Sequence, residues 1–214
     1  MAKTKIAILI SGRGSNMQAL IDAAADPAYP AEIVLVISNN PGAQGLERAA
    51  LADIPTAVVN HRGYESREDF EATMHDLIKA SGAQYVCLAG FMRILTPWFV
   101  GQWRDRLINI HPSLLPCFPG VHTHERALEA GIRIHGCTVH FVRPEMDDGP
   151  IIGQAAVAVL PGDTEGTLSA RVLDAEHKLY PACVKLVCEG KARVSGELVR
   201  LQSGTPGMLV NPER

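Results

Sequence analysis

The sequence predicts an α/β fold: a doubly wound, mostly parallel sheet with antiparallel additions in its C-terminal part. Three observations predict it. Short apolar runs rich in β-branched residues alternate with helical patterns through the first half of the 214 residues. A glycine turn, Gly12-Arg13-Gly14, follows the first of these runs. After Gly131 the alternation stops, and two strand-like runs follow with no helix between them.

Ile6–Ile10, Ile33–Ser38, Thr56–Val59, Tyr85–Ala89 and Leu107–Ile110 read as strands. Each is short and apolar, as strands covered on both faces of a sheet require. The clearest helix begins at Ser66, with Asp69 at the capping-box position and Phe70, Met74, Leu77 and Ile78 on one face. Ile134–Val142 and Ile151–Leu160 read as antiparallel additions joined by a turn through Asp147. An amphipathic helix from about Thr164 to Cys188 places Leu168, Val172, Ala175 and Leu179 on one stripe. Pro181 should kink or interrupt that helix, because it has no N–H and its ring crowds the preceding turn. Ala192–Leu201 reads as a terminal hairpin. No repeat, charge block or linker marks a boundary, so residues 1–201 are expected to form one domain and 202–214 a flexible tail.

Apolar content of 47% and charged content of 20% are those of an ordinary globular enzyme. A net charge of −3 gives no electrostatic reason to bind nucleic acid. The Ile6–Ile10 run is too short for a signal peptide, and no apolar stretch approaches the ~20 residues of a membrane helix. The five cysteines are an odd number without a Cys-x-x-Cys pair, which fits free thiols in a reducing cytoplasm. The expected partners are small molecules, with no nucleic acid and no membrane, in a monomer or homodimer.

The stretch Asn109-Ile110-His111-Pro112-Ser113-Leu114-Leu115-Pro116 carries the chemistry. In a strand, Asn109 and His111 point to the same face and can aim at one reacting atom. A carboxamide N–H and a protonated imidazole stabilise an oxyanion together, and the imidazole can also move a proton. Pro112 and Pro116 end the strand and stiffen the segment beyond it. Asp147, in Met146-Asp147-Asp148-Gly149-Pro150, is placed to orient the imidazole and favour its charged form. An isolated Asn-x-His would read as a packed pair; the whole string with the distal Asp147 reverses that. Ser113 lacks the Gly-x-Ser-x-Gly elbow of a serine hydrolase, so no covalent enzyme intermediate is expected.

Gly12-x-Gly14, between strand and helix, exposes N–H groups that suit an anion. A dinucleotide site would want a small residue at 17, where Met17 stands, and an acid after the second strand, where Ser38-Asn39-Asn40 stand. A single phosphate fits better than a dinucleotide, and a purely conformational turn fits the spacing equally well. His122, His124, His135 and His140 are candidate zinc ligands. No His-Glu-x-x-His or Cys-x-x-Cys accompanies them, and His135 and His140 fall on opposite faces of one strand, so no metal is expected.

These motifs resemble those of the formyltransferases that use 10-formyltetrahydrofolate. Asn109 to Pro116 is similar to that family's catalytic segment, and Asp147 falls where the family has its catalytic aspartate. The resemblance therefore implies the formyltransferase fold, with Asn109, His111 and Asp147 catalytic. Ser11-Gly12-Arg13-Gly14-Ser15-Asn16 resembles the substrate-phosphate loop, which implies that Gly14, Ser15 and Asn16 bind the acceptor. Ala89-Gly90-Phe91-Met92-Arg93-Ile94-Leu95 resembles the segment between substrate and folate pockets. Pro119-Gly120-Val121-His122-Thr123-His124 resembles the mobile loop after the catalytic strand.

The likeness runs from about Ile6 to Pro181, and within the family it is closest to the members whose acceptor is phosphoribosylglycinamide. It implies folate contacts from Arg67, near the glutamyl end, from Met92, Arg93, Ile94 and Leu95, from Asn109, and from Arg143, Pro144, Glu145, Met146 and Asp147. It sets Glu176 against the glycinamide end of the acceptor, where a helix carboxylate would otherwise be merely solvated. One departure is Asp148, where relatives often have Gly. The implied reaction is direct formyl transfer from 10-formyltetrahydrofolate to the amine of N1-(5-phospho-D-ribosyl)glycinamide in purine biosynthesis. The alternative is a deformylase-like hydrolysis of the formyl-folate. Such hydrolases usually carry an extra N-terminal domain, whereas here the first strand is expected at residue 5 or 6.

Overall fold

A computed structural model describes residues 2–202. Its strands are β1 (Thr4–Ile10), β2 (Ala31–Ser38), β3 (Thr56–Val58), β4 (Tyr85–Leu88), β5 (Leu107–His111), β6 (Ile134–Phe141), β7 (Ile151–Ala158), β8 (Ala192–Ser195) and β9 (Leu198–Leu201). Its α-helices are α1 (Ser15–Ala24), α2 (Gln44–Leu51), α3 (Arg67–Ala80), α4 (Pro97–Gln102), α5 (Thr123–Glu129) and α6 (Glu165–Cys188). Seven strands form one sheet in the order β3-β2-β1-β4-β5-β6-β7, and β8 and β9 form a separate antiparallel pair. β1 pairs in parallel with β2 and β4, β2 with β3, and β4 with β5. β6 and β7 are antiparallel. The doubly wound, mostly parallel sheet with antiparallel additions is therefore present, and the strand ends lie within about two residues of expectation.

The chain forms two compact units: residues up to Asn109 together with Val142–Pro144, and Ile110–Phe141 together with the chain from Glu145 onward. In the first, Ala7, Leu9, Leu35, Ile37, Val86 and Leu88 of the strands pack against Phe70, Met74 and Ile78 of α3, and Phe99, Val100 and Trp103 complete the core. The stripe on α3 is the expected one. Ser66 caps this helix by accepting from the Asp69 N–H at 3.0 Å, and its hydroxyl donates to the Asp69 carboxylate at 2.6 Å. β3 departs from the expectation of full coverage. It is the edge strand, three residues long, with Thr56 and Val58 exposed.

In the second unit, α6 buries Leu168, Val172 and Leu179, with Tyr180, Cys183 and Val184. Thr164 accepts from Thr167 N–H at 3.3 Å, and Thr167 returns the bond to Thr164 N–H at 2.9 Å, which makes a full capping box. The expected interruption at Pro181 does not occur, since one helix runs from Glu165 to Cys188. Buried side chains on both sides of the proline hold the turn in place, and tertiary packing outweighs the loss of one backbone donor. Gln202 N–H donates to the Lys191 carbonyl at 2.9 Å. The rest of the expected tail, 203–214, lies outside the described residues. Among the described residues no helix is long and apolar enough to cross a membrane.

Met74 is fully buried and Leu51 is 88% exposed. Met74→Ala should lower the unfolding free energy by about 2–5 kcal/mol, and Leu51→Ala should change it by less than about 0.5 kcal/mol. Urea titration of both variants checks this, and equal midpoints would contradict the assigned core.

Candidate active site

In the first unit, the chain leaves β1 toward β2 on one side and later returns to β4 on the other. Such a reversal of winding opens a crevice beyond the carboxyl ends of the strands. The loop after β1 holds Gly14 at φ +70°, as the N-cap of α1. A Cβ at Gly14 would lie 2.8 Å from the Gly45 Cα, so the turn and the close approach of α2 both demand glycine. No side chain caps α1, and its first turn holds no acidic residue. Ser15 and Asn16 stand in the first turn of α1, at the helix end that carries partial positive charge. The conformational explanation of this glycine loop therefore holds at Gly14.

After β4, residues 91–96 have no regular structure. Met92 and Ile94 are 69% and 64% exposed, Leu95 is buried and Arg93 is half-buried. Arg67 is exposed at the first position of α3. Asn109 is half-buried on β5. The buried Arg143 guanidinium bonds to Asp105 at 2.8 Å and to the Val142 carbonyl at 3.3 Å. Pro144 is exposed.

The second unit holds the imidazole. His111 ends β5 and is 5% exposed. Its Nδ1 lies 3.3 Å from Asp147 Oδ1, and its Nε2 lies 3.0 Å from the Phe118 carbonyl oxygen. Both partners are acceptors, so each ring nitrogen faces a group to which it can donate. Asp147 occupies a left-handed turn position, φ 53°, and its other carboxylate oxygen accepts from Gly120 N–H at 2.6 Å. One carboxylate therefore holds both the ring and the loop beside it. The Thr138 hydroxyl donates to the Ser113 carbonyl at 2.7 Å and accepts from Leu115 N–H at 3.0 Å, which fixes the segment after His111. Asp148 turns onto its own neighbour, accepting from Gly149 N–H at 2.9 Å. Glu145 and Met146 are exposed in the same turn. Glu176 is not a solvated helix carboxylate: it is 5% exposed. Burial first, and then the Glu176 charge, push the Cys137 thiol above its ordinary range.

Among the candidate zinc ligands, the structure gathers only a pair. The His124 and His135 rings meet edge to face, with centroids 5.3 Å apart, while His122 is exposed. Among the described residues no group of three or more His, Cys, Asp or Glu side chains is arranged to hold a metal ion. Burial pushes the His135 imidazole down to about 4, helped by neighbouring His124 and His111 and opposed by the Pro112 carbonyl. His124 is lowered in the same way, chiefly by burial. Sequence reasoning named neither the Phe118 carbonyl nor the Gly120 N–H as parts of the site. They are main-chain groups, which every residue carries, so no side-chain signal marks them.

The chain is thus an α/β protein with a mostly parallel sheet, in which a carboxylate lies against the imidazole that ends β5. The chain belongs to the formyl transferase family, which matches residues 4–184. It is 52% identical over 198 residues to the trifunctional purine biosynthetic protein adenosine-3 of Drosophila pseudoobscura pseudoobscura, covering 92% of this chain and 14% of that protein's length. It is 46% identical over 189 residues to the phosphoribosylglycinamide formyltransferase of Escherichia coli (strain K12), covering 88% and 89% of the two chains. Glycinamide ribonucleotide transformylase 1 from Symbiobacterium toebii superposes with a TM-score of 0.92 at 42% identity, over 94% and 95% of the chains. A formyltetrahydrofolate deformylase from Burkholderia mallei also matches, with a TM-score of 0.86 at 28% identity, over 94% and 71%.

The lowered His135 gives the fold a pH dependence of definite sign. The unfolded imidazole takes up a proton below about 6.5, whereas the folded one resists until about 4. Stability is therefore full above that unfolded value, falls as pH drops toward 4, and loses nothing further from this group below it. His135→Gln should flatten the decline, by up to roughly 1.4 kcal/mol per pH unit for one proton. Urea unfolding of both proteins at several pH values checks this. Parallel curves would remove His135 from the acid lability.

Proposed function

We propose that the chain transfers the formyl group of 10-formyltetrahydrofolate to the amine of N1-(5-phospho-D-ribosyl)glycinamide, a step of purine biosynthesis. The observation that carries this reading is the His111 ring, held at Nδ1 by Asp147 and bonded at Nε2 to a backbone carbonyl that an incoming oxygen can replace. The similarity to glycinamide-specific enzymes over nearly whole chains supports the acceptor. The formyl-folate, when bound, supplies an electrophilic carbon attached to its N10.

The N–H groups at Gly14, Ser15 and Asn16 hold the acceptor's phosphate, and Glu176 takes the glycinamide end. Met92 and Ile94 offer exposed apolar surface, and the irregular 92–95 backbone offers unladdered polar groups, which together suit a pterin ring. Leu95 backs that segment from the core, Arg93 flanks it, and Arg67 serves the glutamyl end. The Arg143 guanidinium is engaged by Asp105, so 143–146 contributes through its backbone. Asn109 and His111 donate to the oxygen of the attacked formyl group. Asp147 keeps Nδ1 protonated and the ring aimed. The amine forms its bond to the formyl carbon, the bond between that carbon and N10 breaks, and the proton the amine gives up replaces the one that His111 passes to N10, directly or through water. Residues 1–201 act as one formyltransferase domain, working in the cytoplasm on small molecules.

Hydrolysis is the second reading, and the deformylase match supports it at lower identity than the transferase matches. It replaces the amine with water and needs no phosphate anchor.

Asp147→Asn keeps a residue that tolerates the left-handed turn and removes the charge beside His111. The turnover number should fall by roughly 10²–10⁴ while the unfolding midpoint changes little. Near-normal turnover would end the proposed role.

Ser15→Asp sets a negative side chain at the first residue of α1. Initial rates against both substrates should show a large rise in KM for phosphoribosylglycinamide and a small one for formyl-folate. Formyl-folate consumption that needs no glycinamide substrate and ignores this substitution would establish the hydrolase instead.

A further inference from the structure

Resting on that reading of the 92–95 segment as the folate wall, we propose that Ser11 and Glu71 are positioning residues for the formyl donor. Ser11 lies in the motif that resembles a phosphate loop, yet its side chain serves the other substrate.

The 92–95 segment has no strand or helix to hold it, and it presents two large apolar side chains outward. Something outside it must fix its backbone if it is to form a preorganised wall. Two side chains do so, one at each end. At the start, Ser11 N–H donates to the Gly90 carbonyl at 3.2 Å, and Met92 N–H donates to Ser11 Oγ at 2.8 Å. The Ser11 hydroxyl proton is already committed, since it donates to Asn39 Oδ1 at 2.5 Å. Asn39 is 5% exposed, and its amide nitrogen lies 3.3 Å from His61 Nδ1. The polarity of this chain is thereby set, and a serine lone pair is directed at the Met92 N–H.

At the far end, Thr96 N–H donates to Glu71 Oε1 at 2.8 Å, and the Thr96 hydroxyl donates to the other oxygen of the same carboxyl group. Glu71 is fully buried and stands one helical turn after Arg67 on α3. Thr96 is also the N-cap of α4, accepting from Phe99 N–H at 3.4 Å. The segment is thus strung between a hydroxyl at the end of β1 and a carboxyl on α3. All these groups belong to the first unit.

A purely structural staple would lower the folded fraction and leave both KM values alone. A positioning residue separates them. In the full chain, Ser11→Ala should raise the KM for 10-formyltetrahydrofolate roughly three- to tenfold, the loss of about one hydrogen bond, with the KM for phosphoribosylglycinamide within about twofold of wild type. Ser11→Thr, which keeps the hydroxyl, should restore the folate KM, and Glu71→Gln should shift it in the same direction as Ser11→Ala. If Ser11→Ala fails to fold, Ser11→Cys keeps the volume while weakening the acceptor and takes its place. A folate KM unchanged in the Ser11 variant, or a rise confined to the glycinamide substrate, would overturn the proposal. Ile94→Ser distinguishes the premise, because it alters the exposed wall and neither pin. An unchanged folate KM in Ile94→Ser would refute the segment as a folate wall. A raised folate KM there beside an unchanged one in Ser11→Ala would refute the pins alone.

Discussion

The enclosure of β1 is the constraint on which the first unit depends. Ile6 to Ile10 are all between 0% and 1% exposed, and the strand is paired in parallel on both sides. A strand in that position has its backbone groups engaged in two ladders and its side chains in two apolar layers, so it has no room for a polar function. Polar chemistry can begin only where the ladder ends. It begins there at once, with Ser11 after β1, Asn39 after β2 and the irregular stretch after β4. The candidate site is made of what the sheet's interior excludes.

The second unit reaches the same end by other means. His111 ends β5, and the stretch that follows it has no regular structure and holds shape only if its peptide groups find partners. Thr138 supplies them from β6, and Gln154 on β7 adds a bond to the Leu115 carbonyl at 2.9 Å. These side chains touch no reacting group. They make the position of His111 a property of an antiparallel sheet instead of a loop, which is the rigidity that acid–base chemistry requires.

The parts of this arrangement that were legible in the sequence are those that physics writes into side-chain type. Strands buried on two faces leave apolar runs, and the α3 stripe recurs at helical spacing because one face meets the core. Asn109, His111 and Asp147 stand out because few side chains can donate to an oxygen or charge an imidazole. Local rules misled where tertiary packing outweighed them. Pro181 did not interrupt α6. Thr56–Val58 reads like an inner strand but forms the edge, since a short apolar run does not state how many neighbours it has. The bonds from Thr96 to Glu71 join residues 25 positions apart, and no periodic pattern links such a pair.

The bond between His111 Nε2 and the Phe118 carbonyl has a thermodynamic consequence for the proposed reaction. A substrate carbonyl that takes Phe118's place exchanges one neutral acceptor for another, so this contact adds little to the affinity of the ground state. As the attacked oxygen gains negative charge, the same donor faces an anion, and the exchange becomes strongly favourable. In the proposed reaction the loop would thereby subtract the uniform part of the interaction and leave the differential part, which is the only part that accelerates a reaction.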